Sequence, residues 1–270
     1  EITGVLEFVD DTIQINPRVQ SDLVKVQPPT VTLEADLPIN YNATEEFEIQ
    51  LVVNNHYSES ITDLNITLDV PEGFTINQIS DEGREENGKI TWSLNNLPGE
   101  GNEQTFSVFG VISESLDYLF LENYNLSYAS QEETIIGNPS YSFPGDFVPV
   151  WAIQGRTARS PYLLKQVKTS GVVTGIFPEL GGFFIQGDPD QDELTSHGLF
   201  VYTEMVDPSI SIGDLISVEG IIHEPQSETQ LILEDWQIHE SNHRLPNPIT
   251  LDPPIDEIES NNYFETMEGM

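Results

Sequence analysis

Trp151-Ala-Ile-Gln-Gly155, Arg159-Ser-Pro-Tyr162, Gly171-Val-Val-Thr-Gly175, Gly181-Gly-Phe-Phe-Ile-Gln-Gly187 and Gly198-Leu-Phe-Val-Tyr-Thr203 follow one another and decide the fold. Short apolar runs broken by glycines and bounded by turn residues read as strands. A glycine inside a strand lets the chain coil tightly or lets another backbone approach, as a small barrel requires. Gly171, Gly175, Gly181, Gly182 and Gly220 are placed for this. The pattern predicts strands near residues 167–177, 181–187, 198–203, 214–223 and 229–238, closing an OB-like Greek-key β-barrel over residues 148–248.

Upstream, residues 28–147 open on Pro28-Pro29 and alternate apolar with polar residues. Thr30–Ala35, Phe47–Asn54, Asn65–Val70, Lys89–Leu94, Thr105–Ile112 and Tyr124–Tyr128 each read as a strand with one wet and one buried face. Their spacing predicts an Ig-like β-sandwich with no disulfide, because the chain has 0 cysteines. Asp69-Val-Pro-Glu-Gly-Phe74, Trp92-Ser-Leu94 and Leu97-Pro-Gly99 resemble the Ig-like conserved repeat of prokaryotic surface proteins. The predicted fold class is therefore all-β, a sandwich followed by a barrel.

The barrel motifs also resemble a family. An "IQG…SP" lead-in, "GVVT", "GGFFIQ", an Asp-rich loop and "LFVYT" stand in the order found in the OB-like accessory module ahead of the catalytic domain of large secreted bacterial and archaeal nucleases. The likeness covers about residues 150–250. It implies an extracellular setting and a nuclease domain elsewhere in the parent polypeptide. The metal-dependent phosphodiesterase motifs of that domain do not occur in this chain.

The ends read as pieces of neighbouring modules. Gly4–Ile15 resembles Gly220–Leu233, so residues 1–27 are expected to be the C-terminal hairpin remnant of a preceding OB-like module, with Asp10-Asp11 in its turn. A hairpin without a barrel needs a partner, and strand addition to another copy of the chain is one solution. Residues 249–270 read as a linker and a short amphipathic helix through Ile255, Ile258, Tyr263, Phe264 and Met267. In the resembled nucleases Glu268-Gly269-Met270 leads towards the next module. The abrupt start at Glu1 suggests a mature or excised piece.

The 270 residues carry 46 acidic and 9 basic side chains, a formal net charge of −37. The acidic excess runs through the sandwich and the barrel alike and reads as a self-repelling, soluble surface. It opposes nucleic-acid binding, since phosphate contacts need Lys and Arg. No apolar run has the length of a membrane span, so no membrane insertion is expected. No secretory signal pattern opens the chain.

Among candidate sites, the loop Gly187–Gly198 stands first. Asp188, Asp190 and Asp192 alternate, with Glu193 beside them, and convergent carboxylates suit Ca2+. The loop lacks the sixth-position Gly and the twelfth-position Glu of an EF-hand, where Leu199 stands; a solvated Asp-rich turn is the competing reading. His239 and His243 have the spacing of a helical zinc pair, but they follow a strand and lack a third ligand. For nucleic acid the candidates are Arg156, Arg159, Phe184 and Tyr202, with pairing to local carboxylates as the alternative for the arginines and core packing for the aromatics. Asn42, Asn65 and Asn125 head glycosylation sequons. No catalytic motif is present.

The expected function is a non-catalytic spacer or presentation region of an extracellular or cell-surface protein, the accessory part of a secreted nuclease. Its partners would be neighbouring modules of the same polypeptide. The alternatives are a surface-layer or filament subunit assembled by strand addition through residues 1–27, and a cation-assisted nucleic-acid-binding OB module.

Overall fold

A computed structural model describes residues 5–9, 12–16, 31–43, 45–114, 116–129, 134–225, 228–248, 263–264 and 266–270. Asp10-Asp11, Pro28-Pro29 and the helix positions Ile255 and Ile258 lie outside the described residues. The chain is all-β. β1 (Val5–Val9) and β2 (Thr12–Asn16) form an antiparallel pair with Leu6 opposite Ile15.

The sandwich strands are β3 (Val31–Asp36), β4 (Asn40–Tyr41), β5 (Glu46–Asn55), β6 (Ile61–Asp69), β7 (Phe74–Ile79), β8 (Arg84–Glu86), β9 (Lys89–Leu97), β10 (Asn102–Ile112), β11 (Leu119–Leu121), β12 (Tyr124–Ser127), β13 (Ile135–Ile136) and β14 (Ser140–Pro144). One sheet has the order β3-β5-β10-β7 and the other β13-β12-β6-β9-β8. The alternation of β5 buries Phe47, Ile49, Leu51 and Val53, while β6 and β9 supply Ile66, Leu68, Ile90 and Trp92 to the same core. Trp92 lies tilted against Phe106 at 5.7 Å, and its indole N–H donates to the Ser80 carbonyl at 3.0 Å. A buried indole of this kind needs such a partner.

The motif Leu97-Pro-Gly99 closes one end of the sandwich through Asn55, which is fully buried. Its amide donates to the carbonyls of Glu59 at 2.9 Å, Leu97 at 3.1 Å and Pro98 at 3.1 Å, and its side-chain oxygen accepts from the Tyr57 amide at 3.1 Å. Gly99 is required here because a Cβ would stand 2.4 Å from the Tyr57 carbonyl oxygen.

A third, three-stranded sheet, β11-β14-β4, was not anticipated. β14 runs parallel to β4, pairing Phe143 with Asn40. Tyr141 and Phe143 of β14, with Phe120 and Ile39 packed beside them, join the second hydrophobic core, that of the barrel.

That second body contains α1 (Val150–Gln154), β15 (Gln166–Phe177), a 3-10 turn at Pro178–Leu180, β16 (Gly182–Gln186), β17 (Gly198–Tyr202), β18 (Leu215–His223) and β19 (Gln230–Glu240). The strands close in the order β15-β16-β17-β19-β18. β17 and β19 run parallel and the other neighbours antiparallel. Long β15 serves both sides: its first half pairs with β18 and its second with β16, with a register shift between Val173 and Gly175. Val173, Phe183, Ile185, Leu199, Val201, Ile216, Val218, Ile222 and Leu231 fill the interior. Observed strand limits lie within a residue or two of those read from the glycine pattern.

Candidate functional site

The lead-in motif ties barrel to sandwich. In α1, Val150, Ala152 and Ile153 are buried in the barrel core, and the Gln154 amide donates to the Gly198 carbonyl at 2.5 Å. The chain then turns at Gly155, whose φ of 74° suits glycine. The Ser160 hydroxyl donates to the Ile153 carbonyl at 2.5 Å and accepts from the Tyr162 amide at 3.1 Å, which fixes the loop that Ser-Pro-Tyr encodes. The Ser160 amide donates to the Glu224 carboxylate. The Tyr162 hydroxyl reaches back to the Tyr141 carbonyl of β14 at 2.9 Å.

Cations complete the junction. Arg159 pairs with Glu34 at 3.1 Å and Lys165 with Asp36 at 3.0 Å, both carboxylates lying on β3. Arg156 bridges Glu122, at 3.2 Å, and Asp192 of the acidic loop, and stands 4.9 Å over the Phe120 ring. Burial alone would lower the pKa of Arg156, yet Asp192, Tyr141 and Glu122 hold it above its ordinary value. Burial is the main cause that raises the phenol of Tyr141, with Arg156 opposing it and Asp192 adding to it; burial also pushes Tyr162 well up.

Beside Arg156 the rings of Tyr118, Phe120, Tyr141, Phe143 and Trp151 pack on one another. Phe120 stacks on Tyr141 at 4.7 Å, and Trp151 meets Tyr141 edge-on at 5.3 Å and Tyr118 at 5.5 Å. Tyr118, Phe120, Tyr141 and Trp151, with Arg156 and the loop residues Asp190 to Asp192, line an open cleft of about 350 Å3.

The acidic loop is organised around its own carboxylates. Asp190 Oδ1 accepts from the Thr195 hydroxyl at 2.9 Å and from the Asp192 amide at 3.3 Å, and lies 3.0 Å from His197 Nε2. Asp192 Oδ1 accepts from the Leu194 amide at 3.0 Å, while its other oxygen pairs with Arg156. Asp188 and Glu193 are exposed. The structure thus brings Asp190 and Asp192 together but leaves Asp188 and Glu193 outside, and the positive group at the loop is Arg156. Among the described residues no group of three or more His, Cys, Asp or Glu side chains is arranged to hold a metal ion.

The other candidates are dispersed. His239 lies on β19 with Nε2 2.9 Å from the Ser217 hydroxyl, and His243 lies 3.5 Å from Glu240, so the pair has no helical geometry. Phe183 points into the barrel, whereas Phe184 is half-buried outside, 4.8 Å from Phe200 and 5.6 Å from Phe177; Tyr202 is also half-buried. Asn65-Ile-Thr67 and Asn125-Leu-Ser127 lie in register on neighbouring strands, Asn65 opposite Ser127 and Asn125 opposite Thr67. The Asn42 amide donates to Glu45 at 3.1 Å. Sequence reasoning missed the ring cluster. The alternation in Tyr118-Leu-Phe120 and Tyr141-Ser-Phe143 was the available signal.

The C-terminal residues pack on the barrel. The Glu268 carbonyl accepts from the Ser196 hydroxyl at 2.5 Å, and its carboxylate accepts from the Thr229 amide at 2.5 Å. Among the described residues no helix is long and apolar enough to cross a membrane.

No protein-family model matches the chain, and no curated protein matches it. Among solved structures it is similar to the chitin-binding domain of a chitinase from Pyrococcus furiosus, at 16% identity and TM-score 0.27, covering 37% of this chain and 97% of that one. A chitin-binding domain from Streptomyces coelicolor matches at 17% identity and TM-score 0.29, covering 38% and 95%. A cohesin module from a Clostridium perfringens family 33 glycoside hydrolase matches at 16% identity and TM-score 0.32, covering 43% and 93%.

Proposed function

We propose that this chain is a non-catalytic spacer that holds neighbouring modules of an extracellular protein in fixed orientation, as the accessory region of a secreted nuclease. The placement of Arg156, Arg159 and Lys165 carries this reading. In a chain with only 9 basic residues against 46 acidic ones, these three sit in the lead-in and pair with sandwich carboxylates. Exposed pairs contribute little stability individually, about 0–1 kcal/mol each. Arg156 beside the ring cluster and Arg159 and Lys165 on β3 hold the junction at separate points, and together they restrict rotation of one body against the other. The nuclease context is supported by the ordered sequence motifs. The non-catalytic part is supported by the acidic loop, whose inner carboxylates are engaged with Thr195, His197 and Arg156 rather than poised as an acid–base pair.

The test uses the absence of native cysteine. Spin labels at Glu86→Cys and Asp235→Cys report the distance between sandwich and barrel. A narrow distribution that broadens when Arg156, Arg159 and Lys165 are all changed to Ala is expected. A broad distribution in the parent protein sinks the orienting role. Hydrolysis of DNA or RNA by this chain with magnesium or calcium sinks the non-catalytic one.

A further inference from the structure

The cleft beside Arg156 carries polar groups that the junction leaves unused. The Trp151 indole N–H, the Tyr118 hydroxyl and the Gln191 carboxamide have no hydrogen-bond partner among the described residues, and all three residues line the cleft. Tyr118 is 39% exposed although its ring is held against Tyr141, Phe143 and Trp151 at 6.0, 5.7 and 5.5 Å. An aromatic surface is therefore presented in a fixed position, with donors and acceptors around it. Groups ordered before a ligand arrives lose little entropy when it binds.

Charge selects the ligand class. Among the described residues Arg156 is the one cation lining the cleft, and Glu122 and Asp192 already pair with it. Asp190 adds a further carboxylate, and the chain as a whole carries −37. Phosphates, sulfates and uronates are repelled. A purely apolar ligand would leave the indole N–H and the carboxamide without partners at a cost. A pyranose ring fits both demands, because it offers an apolar C–H face to an aromatic ring and a rim of hydroxyls to amides, phenols and carboxylates. The volume, about 350 Å3, stands at the small end of ligand sites and suits one or two rings of a longer chain.

We propose that this cleft binds an uncharged oligosaccharide, with a sugar face against Tyr118 and its hydroxyls bonded to Gln191 and the Trp151 indole N–H. This goes beyond the spacer reading and stands without it: a rigid spacer can lack the site, and the site can exist in a flexible pair.

The test is calorimetric titration of the whole chain with hexamers of N-acetylglucosamine, glucose and xylose, with polygalacturonate and single-stranded DNA as anionic controls. Saturable binding of at least one neutral hexamer in the micromolar to millimolar range is expected. Gln191→Ala should weaken it about tenfold or more without lowering Tm, and Tyr118→Ala should weaken it at least as much at temperatures where the variant is fully folded. Trp151→Phe, which keeps a ring and removes the N–H, should weaken it as well. The proposal is overturned if none of the neutral hexamers binds, if only the polyanions bind, or if Tyr118→Ala leaves binding unchanged.

Discussion

Gly198 and Gly269 lie backbone against backbone. A Cβ on Gly198 would stand 2.1 Å from the carbonyl carbon of Gly269, and one on Gly269 would stand 2.8 Å from the carbonyl carbon of Gly198. Neither neighbour is a flexible side-chain tip, so any side chain at Gly198 must push the C-terminal segment off the mouth of β17. Gly198→Ala is therefore expected to cost about 1–3 kcal/mol. It should also release the Glu268 bonds to Ser196 and Thr229. Hydrogen exchange checks this: the Thr229 amide should exchange faster in the variant while amides in β5 are unchanged. Unaltered Thr229 protection would mean that the contact is not held in solution.

Trp92 should be the most sensitive single position in the sandwich. It is almost fully buried, contacts Phe106 and satisfies the Ser80 carbonyl. Trp92→Ala loses both packing and that bond, and the expected destabilisation is about 3–5 kcal/mol. The two hydrophobic cores are built from different residues, so urea unfolding of the variant should lower the transition reported by sandwich amides more than the one reported by barrel amides. Equal loss in both would mean that the bodies unfold as one unit.

What the sequence made legible follows from locality. The barrel strands were readable because Gly171, Gly175, Gly182 and Gly220 punctuate apolar runs at the places where tightly coiled strands need them. The β7 edge strand was not, since Phe74 alone in it is buried and the alternation that marks a half-buried strand is absent. β14 was hidden because Pro144, its last residue, and the Gly145 that follows read as the start of a linker, and its parallel partner Asn40-Tyr41 is two residues long. For the site, Asp188, Asp190, Asp192 and Glu193 stood out as a cluster, readable from their spacing either as a cation loop or as a solvated Asp-rich turn. The guanidinium that pairs with Asp192 comes from Arg156, 36 residues earlier, and no local pattern reports such a contact.

Alkaline pH should weaken the protein through its buried phenols. Burial raises the pKa of Tyr124, Tyr141 and Tyr162 above the ordinary value of about 10. The folded state thus keeps these protons to higher pH than the unfolded chain does. Their contribution is fully present below about pH 10 and falls as pH rises through the folded-state values, by up to ~1.4 kcal/mol per pH unit for each group. Urea midpoints measured from about pH 8 to about pH 11 should be level and then decline. Tyr162→Phe should make the decline shallower. It should also lower stability at neutral pH by about 1–3 kcal/mol, because the Tyr141 carbonyl loses its donor. A level midpoint across the whole range would overturn the assignment.

Calcium gives a sharp test of the acidic loop. The ion needs six to eight oxygen ligands, and a loop that binds it must offer several free carboxylate oxygens. Asp190 Oδ1 already serves the Thr195 hydroxyl, the Asp192 amide and His197, while Asp192 serves the Leu194 amide and Arg156. An incoming ion would have to displace a guanidinium from Asp192 and break the turn around Asp190, with exposed Asp188 and Glu193 the remaining local acids. Ligand that binds only the folded state raises stability as its concentration exceeds Kd, by about 2.7 kcal/mol at a hundredfold excess. Millimolar calcium is therefore expected to raise Tm no more than equal magnesium, which matches its screening of the carboxylate surface. Asp190→Asn should still lower Tm in the absence of either ion, because the turn keeps a weaker acceptor and loses its charge-assisted bonds. A calcium-specific rise in Tm that disappears in Asp190→Asn would show that the loop rearranges around the ion and that the Arg156 pairing is the apo form of a metal site.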